Sequence, residues 1–466
     1  MKMNGMSLIR LAAVLASVPQ MLAAQGPMPF PSKLDVAAGA RRLCGQDVRN
    51  FILDGQAFLE KGEEAALRFH TDETGRGYEI LLRNGPIDGT RKTGSLSHVR
   101  NLYRSFARDG EWFAFRVAVR ERNVEVSVNG MPVVRYTEGE RPYRLPQHAS
   151  MRLSHGDFAF EGRTGCVEFR DMVLTPLRDG VENPADVLPL IDEQSDPVMR
   201  LQQLDFPVVN WHVHAKGGWT PAQAYEKSLA DGICYGLAVN IYGNVRRKGD
   251  GGVGRMIETD EEALEYLDSV KGWPFIHGFQ GEGRKWTMSF SAKSLAACDY
   301  LFTDSLTVVD GGRQLRLYRS DEMTLNGRSP EEWMEFYVSQ IESILENEPA
   351  DIYANPLFLP RQLAGQADAL WTDARIGRVL DVLVKHRIAL ELNSRYCIPC
   401  RRAIRMAKAR GIKFTFGTNN VDANVGRLEW ALESVAECGI EKEDMWFPPD
   451  SVRLSRPAVI YNKIKE

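Results

Sequence analysis

The spacing of apolar residues changes near residue 206, and this change limits the folds open to the chain. Before it, from about Leu43 to Leu177, short runs of alternating apolar and polar residues are separated mostly by Gly, Asn, Asp or Pro. After it, apolar runs alternate with amphipathic segments of helical length. The first pattern predicts an all-β sandwich and the second a parallel α/β fold, so we expect two domains.

The first domain is predicted to consist of strands with no helix of any length. Asn129-Gly130 lies between two alternating runs, and this dipeptide is the strongest short-range indication of a hairpin. The predicted strands are AALRFHTD, GYEILLRN, EWFAFRVAVRE, NVEVSVNG, MPVVRYTE, SMRLSHG and CVEFRDMVLTPL.

The second domain is predicted to be a seven-stranded, TIM-like α/β barrel. Thr220-Pro221 and Ser329-Pro330 each place a capping residue before a proline, as at the start of a helix. A doubly wound open sheet is the alternative, but no Gly-rich phosphate-binding fingerprint follows the first strand. The predicted strands are Val208–His214, Tyr235–Ile241, Phe275–Gln280, Tyr300–Asp304, Asp351–Asn355, Ile388–Asn393 and Lys413–Gly417.

The N-terminus has the features of an export signal. Lys2 and Arg10 precede an uncharged apolar run that ends in small residues, so residues 1–24 are predicted to be a signal peptide, with a retained membrane anchor as the alternative. The remaining boundaries are predicted as a lead at 25–42, the sandwich at 43–178, a linker at 179–205 and the barrel at 206–466. We therefore expect an exported protein, periplasmic or secreted.

The charge and the cysteines limit the partners and the bridges. A net charge of -4 gives no reason to expect nucleic acid or a membrane surface as a partner. Cys44 and Cys166 lie near the two ends of the first domain and could form a bridge. Cys397 and Cys400 form a C-x-x-C at a predicted helix start, where a bridge or two buried thiols are favoured over a redox role.

A His-x-His pair ends the first predicted strand of the barrel. Alternate side chains of a strand share a face, so His212 and His214 are expected to project together. At the carboxyl end of a barrel strand, two imidazoles suit one divalent metal such as zinc, iron or manganese. The alternative is that one histidine is a hydrogen-bonded core residue and the other is exposed.

The sandwich sequence resembles the 3-keto-disaccharide hydrolase domain, a concanavalin-like jelly roll. The likeness rests on GYEILL, TGSLSHVRNLY, DGEWFAFRVAVRERNVEVSVNGMPVVRY, RLSHG and VEFRDMVLTPL, and GDFAFEGRTG is an insertion relative to that pattern. The resemblance implies action on sugars, in particular glycosides oxidised at C3. It makes Glu79 and His155 the sugar-facing candidates, and we add Arg68, which alternates with core positions.

The barrel sequence resembles the polymerase and histidinol phosphatase (PHP) superfamily of metal-dependent hydrolases. The matching pieces are NWHVHAKGG, GFQGEG, LELNSR and FTFGTNN. By this resemblance His212, His214 and Glu282 are metal ligands. The family's later ligands are replaced by amides, which are poor metal ligands, so the sequence predicts one metal and not three.

Four asparagines at predicted strand ends suggest a second use for the barrel. Asn240, Asn355, Asn393 and Asn419 each offer a donor and an acceptor, as a sugar diol requires. For any single one of them, capping or turning the chain is the alternative.

These observations predict a carbohydrate-active enzyme that cleaves 3-keto-glycosides by hydrolysis or elimination, with a carbohydrate as its partner. His277 or Asp304 is the candidate base if the barrel is catalytic, and Glu79 or His155 if the sandwich is. The alternatives are a PHP-like phosphoesterase with a sugar-binding sandwich and a non-catalytic carbohydrate-binding protein.

Overall fold

The computed structural model describes residues 30–180, 191–242, 257–284 and 286–449. Contacts divide the chain into two compact units. The first runs to Ile191 but leaves out Pro86–Arg91 and His98–Arg104, which belong to the second unit together with the chain from Asp192 onward. The predicted signal peptide lies outside the described residues.

The first unit contains two antiparallel sheets. A six-stranded sheet has the order β1-β10-β3-β6-β7-β8, and a four-stranded sheet has the order β2-β9-β4-β5. The strands are β1 Lys33–Ala37, β2 Arg41–Leu43, β3 Phe51–Phe58, β4 Glu64–Thr71, β5 Tyr78–Leu82, β6 Phe113–Arg120, β7 Asn123–Val128, β8 Met131–Thr137, β9 Asp157–Thr164 and β10 Cys166–Pro176.

Aromatic side chains join the two sheets face to face, which confirms the predicted sandwich. The ring of Phe51 on β3 lies 4.8 Å from that of Phe158 on β9, and the ring of Phe160 lies 4.8 Å from that of Phe169 on β10. All four rings are buried, as the inward positions of a sandwich core are.

The predicted hairpin is confirmed, but one of the predicted strands of this unit does not form. Asn129 and Gly130 join β7 to β8, both with positive φ, as this turn requires. SMRLSHG forms no strand. The segment GDFAFEGRTG, an insertion relative to the family pattern, contains β9, and β9 pairs with β2 and β4 inside its sheet. Its alternating Phe158 and Phe160 suit one buried face.

The second unit contains a closed barrel of seven parallel strands, which confirms the predicted strand number and closure, whereas the TIM-like character stays a prediction. The barrel order is β11-β12-β13-β14-β17-β18-β19, and β11 pairs with β19 to close it. An unexpected antiparallel hairpin, β15 with β16, follows β14. The strands are β11 Val209–Val213, β12 Cys234–Tyr242, β13 Ile276–Glu282, β14 Tyr300–Asp304, β15 Thr307–Asp310, β16 Arg313–Arg316, β17 Ile352–Ala354, β18 Ala389–Asn393 and β19 Phe414–Gly417.

The helices of this unit begin where the sequence predicts caps. The side chains of Thr220 and Ser329 each accept a bond from the third residue of the helix that follows, and both form complete capping boxes. The helices are α1 Pro197–Gln203, α2 Pro221–Asp231, α3 Asp260–Val270, α4 Ala292–Leu295, α5 Pro330–Asn347, α6 Arg361–Ala364, α7 Ala367–Leu370, α8 Asp373–His386, α9 Arg401–Ala409 and α10 Glu429–Cys438.

Alternate residues of the barrel strands pack on opposite sides. Leu301 on β14 packs with residues of α3 and α4, whereas its neighbours Tyr300 and Phe302 pack in a cluster drawn from six barrel strands. Gly278 makes room for the Tyr300 ring, since a Cβ there would lie 2.2 Å from the ring. Tyr300 and Phe302 therefore face the barrel interior, whereas Leu301 faces α3 and α4.

All seven cysteines are free thiols, so the bridge considered for Cys44 and Cys166 does not form. Cys400 is the residue before α9, as the C-x-x-C position predicts. Within the described part of the chain, no helix is both long enough and apolar enough to cross a membrane.

Candidate active site

Each of the seven barrel strands brings a polar side chain to its carboxyl end. In barrels of parallel strands this end is where catalytic residues collect. Two members of the set, Gln280 and Glu391, were not singled out from the sequence. The set is His212, Asn240, Gln280, Glu282, Asp304, Asn355, Glu391, Asn393 and Asn419.

The structure brings His212 and His214 together. The register of β11 with β12 shifts between Asn210 and Val213, which marks a bulge or irregularity directly at the pair. Bulges redirect side chains and are frequent beside active sites. The two rings are buried, with centroids 5.0 Å apart.

Both imidazoles use their Nδ1 atoms in hydrogen bonds, whereas their Nε2 atoms are unpaired within the described part of the chain. His212 Nδ1 lies 2.6 Å from Glu391 Oε1, and His214 Nδ1 lies 2.9 Å from the carbonyl oxygen of Ala238. These oxygens accept, so Nδ1 carries the proton in a neutral ring and the lone pair is on Nε2. Both Nε2 atoms are buried and form no hydrogen bond with any described residue. Burial, with smaller effects of Lys216 and His212, holds the pKa of His214 well below its usual range, so this ring is neutral.

Buried hydrogen bonds connect Glu391 to Asp304 through Asn355. Glu391 Oε2 accepts from the main-chain nitrogen of Asn355 at 2.6 Å, and the Asn355 side chain donates to Asp304 Oδ2 at 3.2 Å. Gln280 also donates to Asp304 Oδ2, at 3.0 Å. A network of this kind holds its members in fixed positions.

The predicted asparagines are assembled, but they mostly bind one another. Asn393 and Asn419 both donate to Asn355 Oδ1, at 3.0 and 2.9 Å. Asn355 and Asn419 have φ of 46° and 42°, a conformation that is rare outside glycine and clusters at functional sites. Asn240 Oδ1 has no hydrogen-bond partner among the described residues. The amides thus bind one another firmly, and Asn240 Oδ1 is an accepting atom that no described residue uses.

Two oppositely charged groups lie beside this network. Asn240 donates to Glu282 Oε1 at 2.7 Å, and burial together with Asp304 raises the pKa of Glu282 to about 7. Burial lowers the pKa of Lys216 to about 8, against the opposing effects of Glu282 and Asp304. Burial also raises the pKa of Asp304. The sequence does not mark Lys216 as a site residue, because its role depends on which carboxylates the other strands bring near it.

The two imidazoles fit one requirement of a metal site. A metal-bound histidine donates its other ring nitrogen to a carboxylate or a carbonyl oxygen, which is the arrangement of both rings here. A third ligand is not in place beside them: among the described residues, no three side chains of His, Cys, Asp or Glu form a group that could hold a metal ion. Glu282 interacts mainly with Asp304, Lys216, Arg284 and Asn240.

His277 lies away from this set. It is the second residue of β13, whereas Glu282 is the last, so the two occupy opposite ends of the strand. Its ring is buried, and burial lowers its pKa to about 4. Consecutive residues of a strand face opposite sides. Gly278 faces the barrel interior, so His277 faces away from it.

In the sandwich, Glu79 and Arg68 bind each other. Glu79 is buried and accepts from Arg68, from Arg163 at 2.6 Å and from Ser97 at 2.9 Å. The lone pairs of this carboxylate are therefore largely used. His155 pairs with Asp47 at 2.7 Å, and both side chains are more than two-thirds exposed, at 74% and 71%.

An open pocket of about 340 Å³ is lined by residues that follow β18 and β19. Asn420, one of its lining residues, bonds to the main chain of His214 in both directions at 2.8 Å. Another, Arg395, donates to the carbonyl oxygen of Asn419 at 2.6 Å. The volume is at the lower end of the range of small-molecule sites, roughly 300 to 1,000 Å³.

Comparison with known proteins identifies the kind of domain in the first unit. Residues 36–175 match a family described as the 3-keto-alpha-glucoside-1,2-lyase-like domain, which confirms the resemblance inferred for the sandwich. No curated protein gives a significant match. The resemblance of the barrel to the PHP superfamily stays a prediction.

Several solved structures are similar to the sandwich region. A putative glycosyl hydrolase from Parabacteroides distasonis is 14% identical, with a TM-score of 0.29, and the match covers 33% of this chain and 85% of that one. A carbohydrate-binding module from Bacillus subtilis is 11% identical, with a TM-score of 0.23 and coverage of 31% and 96%. A Bacillus licheniformis beta-glucanase is 11% identical, with a TM-score of 0.22 and coverage of 31% and 78%. TM-scores of this size support no conclusion about function.

Proposed function

We propose that this protein is an exported carbohydrate-active enzyme that cleaves 3-keto-glycosides by elimination, with the chemistry at the carboxyl end of the barrel. The observation that carries the substrate class is the match of residues 36–175 to a 3-keto-alpha-glucoside-1,2-lyase-like domain. Export rests on the charged-then-apolar N-terminal sequence.

The availability of lone pairs favours the barrel over the sandwich as the catalytic unit. A base needs an oxygen or nitrogen that is free to take a proton. Glu79 already accepts from two arginines and a serine, and the exposed His155 has no enclosed surroundings. In the barrel, Glu282 accepts at Oε1 from Asn240. The Nε2 atoms of His212 and His214 are buried and form no hydrogen bond with a residue that the structure describes.

Each group of the barrel has a role in this proposal. Glu282 takes the C2 hydrogen, which the neighbouring C3 carbonyl acidifies. Asp304 already accepts from Gln280, Asn355 and the main chain of Leu306, so it positions the amides and is not the base. Asn240 Oδ1 accepts from a sugar hydroxyl.

A divalent metal is part of the proposal. His212 and His214 would hold it through Nε2, with Glu391 and the carbonyl of Ala238 orienting the rings. When bound, such an ion polarises a carbonyl oxygen as a Lewis acid.

Turnover and metal content test the proposal together. The wild type is expected to release the aglycone from an aryl 3-keto-glucoside, leaving an unsaturated 2-hydroxy-3-keto sugar, and not to cleave an aryl phosphate. His212→Ala is expected to abolish turnover and to lower metal content, whereas His155→Ala keeps both. If His155→Ala abolishes turnover and His212→Ala leaves it intact, the chemistry belongs to the sandwich. Cleavage of the phosphate ester alone would favour a phosphoesterase.

A further inference from the structure

Arg284 is a buried cation whose hydrogen-bond donors are not used by any described residue. It lies two residues beyond Glu282, at the end of β13, and only 10% of its side chain is exposed. Its Nε, Nη1 and Nη2 atoms are all buried and form no hydrogen bond with any described residue. A guanidinium carries five N–H donors, and leaving buried donors unpaired is costly. The arrangement calls for an acceptor that is not a described part of the chain.

Glu348 holds Arg284 in place without satisfying it. Arg284 Nη1 lies 3.0 Å from Glu348 Oε1, an ion pair without hydrogen-bond geometry. Glu348 Oε2 accepts from Trp286 at 3.0 Å and from the hydroxyl of Thr303. The carboxylate therefore fixes one side of the guanidinium, and its other nitrogens remain available.

Arg284 lies beside the site: it follows Glu282 by two residues, and its partner Glu348 accepts from Thr303, the residue before Asp304. Its charge opposes the rise in pKa that burial causes at both Glu282 and Asp304. Glu282 is the proposed base, so Arg284 lies near the position where negative charge would develop in the substrate. Donors fixed in advance around a developing anion are a strong source of catalysis.

We propose that Arg284 donates hydrogen bonds to the C3 oxygen of a 3-keto-glycoside and stabilises the enolate formed there. The inference rests on the proposed function. The C2–H bond breaks, its proton goes to the Glu282 carboxylate, and its electron pair forms C2=C3 and moves charge onto the C3 oxygen. The C3 carbonyl then re-forms, C1=C2 forms and the C1–O bond breaks. The departing oxygen takes the proton held by Glu282, which returns to the carboxylate, so the products are an unsaturated keto sugar and an alcohol, and no oxidant is needed.

A purely structural role for Arg284 makes different predictions. If the residue served only to neutralise Glu348, its loss would lower the thermal midpoint and leave kcat of the folded protein unchanged. If Arg284 bound phosphate instead, inorganic phosphate would raise the thermal midpoint of the wild type. Substituting Arg284 would then leave kcat for a 3-keto substrate unchanged. An enolate-stabilising role predicts a fall in kcat with little change in KM, since the charge is present only along the reaction path.

The experiment measures kcat, KM and exchange of the C2 hydrogen with deuterated solvent, using an aryl 3-keto-glucoside. Arg284→Ala is expected to lower kcat and C2 exchange about 100-fold to 1,000-fold, the loss typical of one oxyanion donor. Added guanidinium ion is expected to restore part of both rates. Arg284→Lys keeps the positive charge but loses the planar set of guanidinium N–H donors, so it should retain more activity than Arg284→Ala. It also serves as the test if the alanine variant does not fold.

The controls separate this inference from the function on which it rests. Arg319→Gln, at a residue whose side chain is 42% exposed, is expected to match the wild type. A wild type that neither cleaves the substrate nor exchanges its C2 hydrogen overturns the proposed function. An active wild type whose folded Arg284 variants keep kcat, or lose it without rescue by guanidinium, overturns the role of Arg284 alone.

Discussion

Asn355→Asp tests the hydrogen-bonded base of the site by changing one group while keeping its size. Asn355 is fully buried, and its Oδ1 accepts from Asn393 and Asn419. Its Nδ2 donates to Asp304 Oδ2 across 3.2 Å. Aspartate keeps the accepting oxygen but replaces the donor with a second carboxylate oxygen that faces Asp304.

The size of the effect follows from that distance. Two unit charges 3.2 Å apart repel by about 5 kcal/mol at an effective dielectric constant near 20. The two carboxylates can reduce this repulsion by binding one proton, which the unfolded chain does not bind near neutral pH. We therefore expect Asn355→Asp to lower the free energy of unfolding by about 3 to 5 kcal/mol at pH 7.

The dependence on pH has a definite sign. Because the pair's pKa is raised in the folded state, the folded variant holds an additional proton, and its stability relative to wild type falls as pH rises. Lowering the pH from 7 to 5.5 should recover about 2 kcal/mol, at about 1.4 kcal/mol per pH unit. The stabilisation that the additional proton provides is complete only at pH values below the pKa of a carboxyl group in the unfolded chain.

Denaturant unfolding of the variant and the wild type at both pH values measures the effect. Asn424→Asp adds the same charge at an exposed position of the same unit and should change stability by less than about 0.5 kcal/mol at either pH. If Asn355→Asp destabilises equally at pH 7 and pH 5.5, or no more than Asn424→Asp, then Asp304 and Asn355 do not face each other in this way.

Two further predictions concern the cores of the two units. Burial lowers the pKa of His70 from 6.5 to about 4, so the unfolded chain binds a proton in this range that the folded chain does not, and stability falls as pH drops below 6.5. At pH 5 this amounts to about 2 kcal/mol, which His70→Asn should remove from the pH profile of unfolding; an unchanged profile would contradict the buried neutral ring. Gly278→Ala should cost about 1 to 3 kcal/mol or more, because the new methyl group overlaps the Tyr300 ring. Gly272→Ala, with open space around the added atom, is the control, and equal thermal midpoints for the two variants would refute the crowding argument.

The sequence predicted much of the candidate site, because its members lie at predicted strand ends. His212 lies near the end of β11, His214 directly follows that strand, and Asp304 ends β14. What the sequence could not predict is the partner of each group. Glu391, which orients His212, is 179 residues away along the chain, and the sequence around either residue does not indicate the other as its partner.

His277 illustrates the limit of the same reasoning. A histidine in a barrel strand is a reasonable candidate base, but its position along the strand and the face it occupies decide whether it reaches the site. The strand begins at Ile276, so His277 lies at the wrong end. A shift of one residue in the predicted strand reverses the face, which is why such assignments need coordinates.

The amino-acid sequence by itself determined the type and order of the elements: a region of alternating strands, then seven apolar runs separated by helices with capping residues such as Thr220 and Ser329. These are local properties, since the period of the apolar residues and the first turn of a helix involve only neighbouring residues. The tertiary structure alone decided that β9 lies inside its sheet, that the asparagines bind one another, and that Arg284 is buried near Glu282 with donors that no described residue uses. Burial and hydrogen-bond pairing depend on which distant segments meet, and this is settled only when the barrel closes and the sheets pack.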